Sequence, residues 1–100
     1  MRSVRYHPEA RDEFLREIEY YAAISPRLAA RFDKSIRIAE TLVAASPEAW
    51  PKYQHTTRRL VERTFKFSLV YLHTDSEIYV VAVASTNRKP GYWKDRIVRV

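Results

Sequence analysis

The stretch RRLVERTFKFSLVYLHTDSEIYVVAVA, Arg58 to Ala84, decides how this chain folds. Phe65, Phe67, Leu69 and Tyr71 alternate with Lys66, Ser68, Val70 and Leu72, the period of two by which a strand sends successive side chains to opposite faces. Leu60, within RRLVER, marks a strand before it, and the apolar run Ile78 to Ala84 marks one after it. Thr74, Asp75 and Ser76 interrupt the apolar pattern and supply a hairpin turn. Three strands over about residues 57–63, 65–73 and 77–84 therefore form an antiparallel meander. The last is apolar without a break from Ile78 to Ala84 and belongs at the centre of the sheet, covered on both faces.

Upstream the period lengthens to about 3.6. Ala10, Phe14, Ile18, Tyr21 and Ala22 recur at helical spacing, Pro8 suits a first turn, and Glu9, Asp12 and Glu13 suit the positive end of the helix dipole. This predicts a helix over 8–24. Ser25 and Pro26 repeat the cap-then-proline start, and Ala29, Phe32, Ile36, Ala39 and Val43 carry a second helix over 26–45, ended by Pro47. So short a connection folds the two helices into an antiparallel hairpin. Val4 and Tyr6 alternate with Arg5 in a first short strand, and Pro47, Trp50, Pro51 and Tyr53 mark an irregular connection anchored by aromatic burial. The predicted fold is α+β, ordered β-α-α-β-β-β: an N-terminal strand and helical hairpin packed on an antiparallel sheet, one domain over 1–100.

Composition narrows the chemistry. With 46% apolar and 30% charged residues the chain has the makeup of a folded domain. It has no cysteine, which removes disulfides, thiolate catalysis and cysteine zinc sites and suits a reducing cytosol. No apolar run approaches the roughly 20 residues of a membrane span, and MRSVRYHPEA lacks a signal-peptide core, so the expectation is a cytoplasmic protein with no membrane partner. His7, His55 and His73 do not fall at metal-ligand spacings, and Gly91, the one glycine, leaves no phosphate loop; no metal and no cofactor is expected. The carboxylate pairs Asp12 and Glu13, and Glu17 and Glu19, share their helix with Arg11 and Arg16 and read as a solvated face.

The net charge of +6 is unevenly placed. Residues 1–56 hold nine Lys or Arg against eight Asp or Glu, whereas residues 57–100 hold nine against four. After the last strand, STNRKPGYWKDR, Ser85 to Arg96, gathers Arg88, Lys89, Tyr92, Trp93 and Lys94. Antiparallel pairing brings Arg63, Lys66 and Arg88 to one edge of the sheet and leaves His55 and His73 at the other. Such a surface suits an anionic or flat partner. Cleaving RNA through its own 2′-hydroxyl needs two proton transfers and stabilisation of a charged phosphorane, and Arg59, Arg63 and Arg88 suit the last, with Tyr92 as a weak acid or stacking ring. Lys66, Lys89, Trp93 and Arg96 are the accompanying binding candidates. A base stacked on Tyr92 or Trp93 is worth about 1–3 kcal/mol. The structural alternatives are that both rings pack on the sheet as a lid, and that Arg58, Arg59 and Arg63 form a charged strand edge that blocks aggregation.

The layout, with YHPEARDEF, SPRLAARF, RRLVERTFKFSLVY and VVAVASTNRKPGYWKDR in that order, resembles the RelE/ParE superfamily of bacterial toxins from type II toxin-antitoxin modules over nearly the whole chain. The run of Arg88, Pro90, Tyr92, Trp93 and Arg96 carries it most specifically. The resemblance implies a growth-inhibiting toxin of the plasmid-stabilisation kind, neutralised by an antitoxin that wraps a C-terminal segment around it. RelE-like members cleave mRNA on the ribosome with lysines and arginines on the sheet and a tyrosine near the C-terminus; ParE-like members lack that set and poison DNA gyrase. On the RelE pattern Arg59 and Arg88 match and Tyr92 lies near the place of the tyrosine, but Ser68 and Val61 stand where basic residues are expected, Ser85 where many relatives have histidine and Lys66 where they have proline. Losing one positioned group that stabilises transition-state charge costs about 100-fold to 1,000-fold in rate. The expectation is therefore a ParE-like inhibitor of gyrase; the alternatives are a RelE-like endoribonuclease using Arg59, Arg63, Arg88 and Tyr92, and a toxin-derived domain that only binds its partner.

Overall fold

A computed structural model describes residues 1–97. Strand β1, Ser3–Tyr6, gives way at His7 to helix α1, Pro8–Ile24. His7 caps that helix by accepting the Glu9 N–H at its Nδ1, 3.1 Å, and Pro8 occupies the first turn, where its missing N–H is not needed. Ser25 is extended; it ends α1 and caps helix α2, Pro26–Ala45, its Oγ accepting the Leu28 N–H at 3.1 Å. A single residue thus closes one helix and opens the next, as the paired Ser-Pro signal predicts. The segment after α2 is more ordered than a plain loop, with short 3₁₀ turns at Pro47–Ala49 and Gln54–Thr56.

Strands β2, Arg58–Glu62, β3, Phe67–His73, and β4, Glu77–Ser85, form the expected meander. β1 joins it in parallel on the free side of β4, from Ser3 opposite Glu77 to Tyr6 opposite Val80, and the sheet order is β1-β4-β3-β2. The sheet is antiparallel in its meander and parallel at this one edge, because two intervening helices let the chain return in the same direction. β4 is an inner strand, as the apolar run Ile78 to Ala84 predicts.

One irregularity in β4 positions everything on the far face. Val70 pairs with Ala82 and Tyr71 with Val80, which leaves Val81 without a partner, a β-bulge. The alternation reverses there. Ile78, Val80 and Val83 face the helices and pack with Phe32, Ile36, Ala39 and Val43, whereas Val81, Ala82 and Ala84 join Val70 on the opposite face beneath Trp93. The sheet has a core on each side, and the second is roofed by the segment after β4.

Several tyrosines are anchored in this core. The Tyr71 hydroxyl donates to the Pro47 carbonyl at 2.6 Å, and burial pushes its pKa up to about 12. Tyr6 donates to Glu40 and is also raised, by burial first and by that carboxylate second. A phenol whose folded pKa exceeds its unfolded value of about 10 stabilises the protein fully below pH 10 and loses that contribution as pH rises through the folded value. In an alkaline titration, therefore, the phenolate absorbance of the buried tyrosines should rise together with loss of the helical circular-dichroism signal. Full ionisation of all seven tyrosines near pH 10 with helices intact would contradict this packing.

Candidate functional site: a cationic cleft on the far face of the sheet

Because Leu60 points into the helix-side core, its neighbours Arg59 and Val61 project from the opposite face. The connection before β2 is tied to that strand's outer edge by the bridge between Lys52 and Arg58 and by the Arg59 N–H donating to the Pro51 carbonyl at 3.2 Å. This places the Tyr53 ring under Arg59, whose guanidinium lies 4.0 Å above the ring centroid. On the other wall, turns after β4 bring Arg88 over Tyr92, 3.9 Å from its centroid. Arg59, Arg88, Lys89, Tyr92 and Trp93 line one cleft of about 190 Å³. Its floor is Val61, Ser68, Val70 and Ala84, with Val61 and Ser68 directly opposite each other across β2 and β3.

Arg63 and Lys66 sit outside this cleft. They belong to the turn between β2 and β3, where the Glu62 carboxylate accepts the N–H groups of Thr64 at 2.7 Å and Phe65 at 2.8 Å. The Lys66 carbonyl accepts the Thr86 N–H at 3.0 Å, so this turn and the segment leading to Arg88 share the sheet edge that the meander predicts. Arg63, Lys66 and Arg88 are exposed, and among the described residues none is paired with a carboxylate. Lys66 lines a second recess with Glu17, Tyr21 and Phe65.

Trp93 and Arg96 do not face outward. Trp93 is 1% exposed, with Tyr53 5.9 Å and His55 5.8 Å from it between ring centroids; it is the roof of the second core, and its ring is not offered to a partner. Arg96 is directed inward, its side chain 11% exposed, and meets Glu13 at 2.9 Å and the Val81 carbonyl at 3.2 Å. The expectation of a solvated Glu13 is corrected by the same contact. Glu13 is 5% exposed and accepts from the Val83 N–H at 3.0 Å, the Tyr92 hydroxyl at 2.6 Å and Arg96. β1 pairs with β4 only as far as Val80, so the edge of β4 beyond it needs other partners, and this carboxylate and guanidinium supply them. A signal was present: Glu13 stands three residues after Ala10 and one before Phe14, on the apolar arc of α1.

His55 is also nearer the cleft than pairing order implies. Residues after β4 fold back across the sheet face instead of staying at its edge, which brings Gly91 and Trp93 against His55. Gly91 has φ +81°, and a Cβ there would lie 2.8 Å from the Gln54 Oε1. The amide can swing away but the backbone strain remains, so Gly91→Ala should lower stability by about 1–2 kcal/mol in a urea melt. An unchanged midpoint would place the turn elsewhere.

This geometry suits binding more than proton transfer. The Tyr92 hydroxyl is committed to Glu13, and its pKa is raised by burial first and by that hydrogen bond second. Burial opposes the Arg96 charge, but the hydrogen bond and charge of Glu13 outweigh it and raise the Arg96 pKa. Among the described residues no group of histidine and carboxylate side chains could hold a metal ion, and no helix is long and apolar enough to cross a membrane. Comparison with curated proteins gives no match. A family model described as "ParE toxin of type II toxin-antitoxin system, parDE" matches residues 4–90, and the chain belongs to this family of toxins.

Proposed function

We propose that this toxin arrests growth in the bacterial cytoplasm by binding DNA gyrase, and that a cognate antitoxin neutralises it. The observation that carries the reading is the pair Val61 and Ser68 on the floor of the cleft. An RNA-cleaving site needs a base, an acid and charge stabilisation around one phosphate. Here Arg59 and Arg88 supply charge from the walls, while the floor between them has an alkyl group and a hydroxyl and the nearby phenol is bound to Glu13. Family membership implies an antitoxin partner. The excess of cations in residues 57–100 suits an acidic segment of that partner, through steering as well as affinity.

Induction in a growing culture tests the choice of target. Growth should stop with a DNA-damage response while translated transcripts stay full length, and Arg88→Ala should leave transcript length unaffected. Cuts within translated messages that vanish in Arg88→Ala would replace this reading by the ribosome-dependent nuclease that uses Arg59, Arg63, Arg88 and Tyr92.

A further inference from the structure

We infer that the cleft between Arg59 and Arg88 seats one backbone phosphate of a nucleic-acid duplex, so that the toxin grips DNA itself. The choice of DNA as the duplex rests on the gyrase reading; the phosphate seat rests on the geometry alone.

Five of the described arginines are used on the protein's own acceptors: Arg2 on the Thr74 carbonyl, Arg5 on Glu77, Arg37 on Asp33, Arg58 on the Trp50 carbonyl and Arg96 on Glu13. Arg59 and Arg88 differ. Each lies over a tyrosine ring, at 4.0 and 3.9 Å, and among the described residues neither guanidinium has a hydrogen-bonded partner or a carboxylate. A guanidinium held against a ring keeps its in-plane N–H fork free, ordered before any ligand arrives, and suited to the paired oxygens of an oxyanion. Lys89 and the hydroxyl residues Ser68, Ser85 and Thr86 line the same cleft.

Size and surroundings select the oxyanion. At about 190 Å³ the cleft is smaller than the roughly 300–1,000 Å³ of ordinary ligand pockets, enough for a phosphate and its flanking carbons but not for a whole nucleotide. The cations continue past it along the rim through Arg63 and Lys66, which matches a polymer of repeated charge better than one carboxylate. Single-stranded binding needs open aromatic faces. Here Tyr53 is covered by Arg59, Tyr92 has both Arg88 and Arg96 against its ring, and Trp93 is buried. A cationic seat without a stacking platform reads backbone and not sequence, which is how duplex is held.

The test is fluorescence anisotropy of a short labelled DNA duplex with the purified toxin, without gyrase, over a series of salt concentrations. Affinity should fall linearly in a log–log plot, and Arg59→Gln and Arg88→Gln should each weaken it several-fold and flatten the slope by about one. Arg88→Lys should keep the slope and recover only part of the affinity, since it restores charge without the fork. Arg16→Gln, which removes the same charge from the exposed face of α1, should change neither quantity. Circular dichroism establishes that each variant is folded. The inference is overturned if duplex does not bind, if Arg16→Gln weakens binding as much as Arg88→Gln, or if single-stranded DNA or polyglutamate binds as tightly as duplex. Gyrase inhibition, assayed separately, keeps the two ideas apart. Duplex binding without gyrase inhibition would remove the gyrase reading and keep the phosphate seat; gyrase inhibition without duplex binding would do the reverse.

Discussion

Glu13→Ala is expected to lower the free energy of unfolding by about 3–5 kcal/mol, a large share of what a domain of this size possesses. The carboxylate is buried, and its removal leaves the Val83 N–H, the Tyr92 hydroxyl and the Arg96 guanidinium without their shared acceptor. The guanidinium, left with only the exposed Glu9 carboxylate at 3.5 Å and the Val81 carbonyl at 3.2 Å, is the most expensive of the three. Glu13→Gln, which can still accept from Val83 and Tyr92 but cannot neutralise Arg96, should fall between wild type and Ala. The distinctive readout is local: hydrogen exchange should accelerate first in residues 86–97, which this network ties to α1 and β4. Loss spread evenly over the sheet, or a change below about 1 kcal/mol, would mean that Glu13 is not the anchor.

Trp93→Ala should cost a similar amount, about 3–5 kcal/mol, by a different route. The indole closes the second core over Val70, Val81, Ala82 and Ala84, and its removal leaves a cavity there. Denaturant melts of this variant should show a lower midpoint. Because the lost side chain also forms a wall of the cleft, any duplex binding should weaken with it. A midpoint unchanged within about 1 kcal/mol would make the segment after β4 an appendage and not a roof.

The two cores differ in how much of them could be read from residues. On the helix side Phe32, Ile36, Ala39 and Val43 keep a helical period and Phe67, Leu69 and Tyr71 keep a strand period, so local pattern and tertiary packing agree. On the far face they part. The bulge at Val81 reverses which residues point where, yet IYVVAVA is apolar throughout, so the reversal changes no residue class and leaves no trace in the pattern. Glu13 was misplaced because its partner, Arg96, lies 83 residues away and a carboxylate on a helix looks solvated until that partner is seen. That Arg63, Lys66 and Arg88 lie on segments meeting at one sheet edge was legible because strand pairing alone dictates it. That Arg63 and Lys66 stay out of the cleft that Arg59 and Arg88 share was not, because it depends on the fold-back at Gly91 and on two tyrosines that hold the guanidiniums in place.

The most direct test of the proposal that this toxin acts by binding gyrase and not by cutting RNA is the supercoiling of relaxed plasmid by purified gyrase and ATP, titrated with the toxin to micromolar concentration. The account predicts progressive loss of supercoiled product, restored by adding the cognate antitoxin. Supercoiling that proceeds at its full rate with a toxin that still stops growth would contradict it.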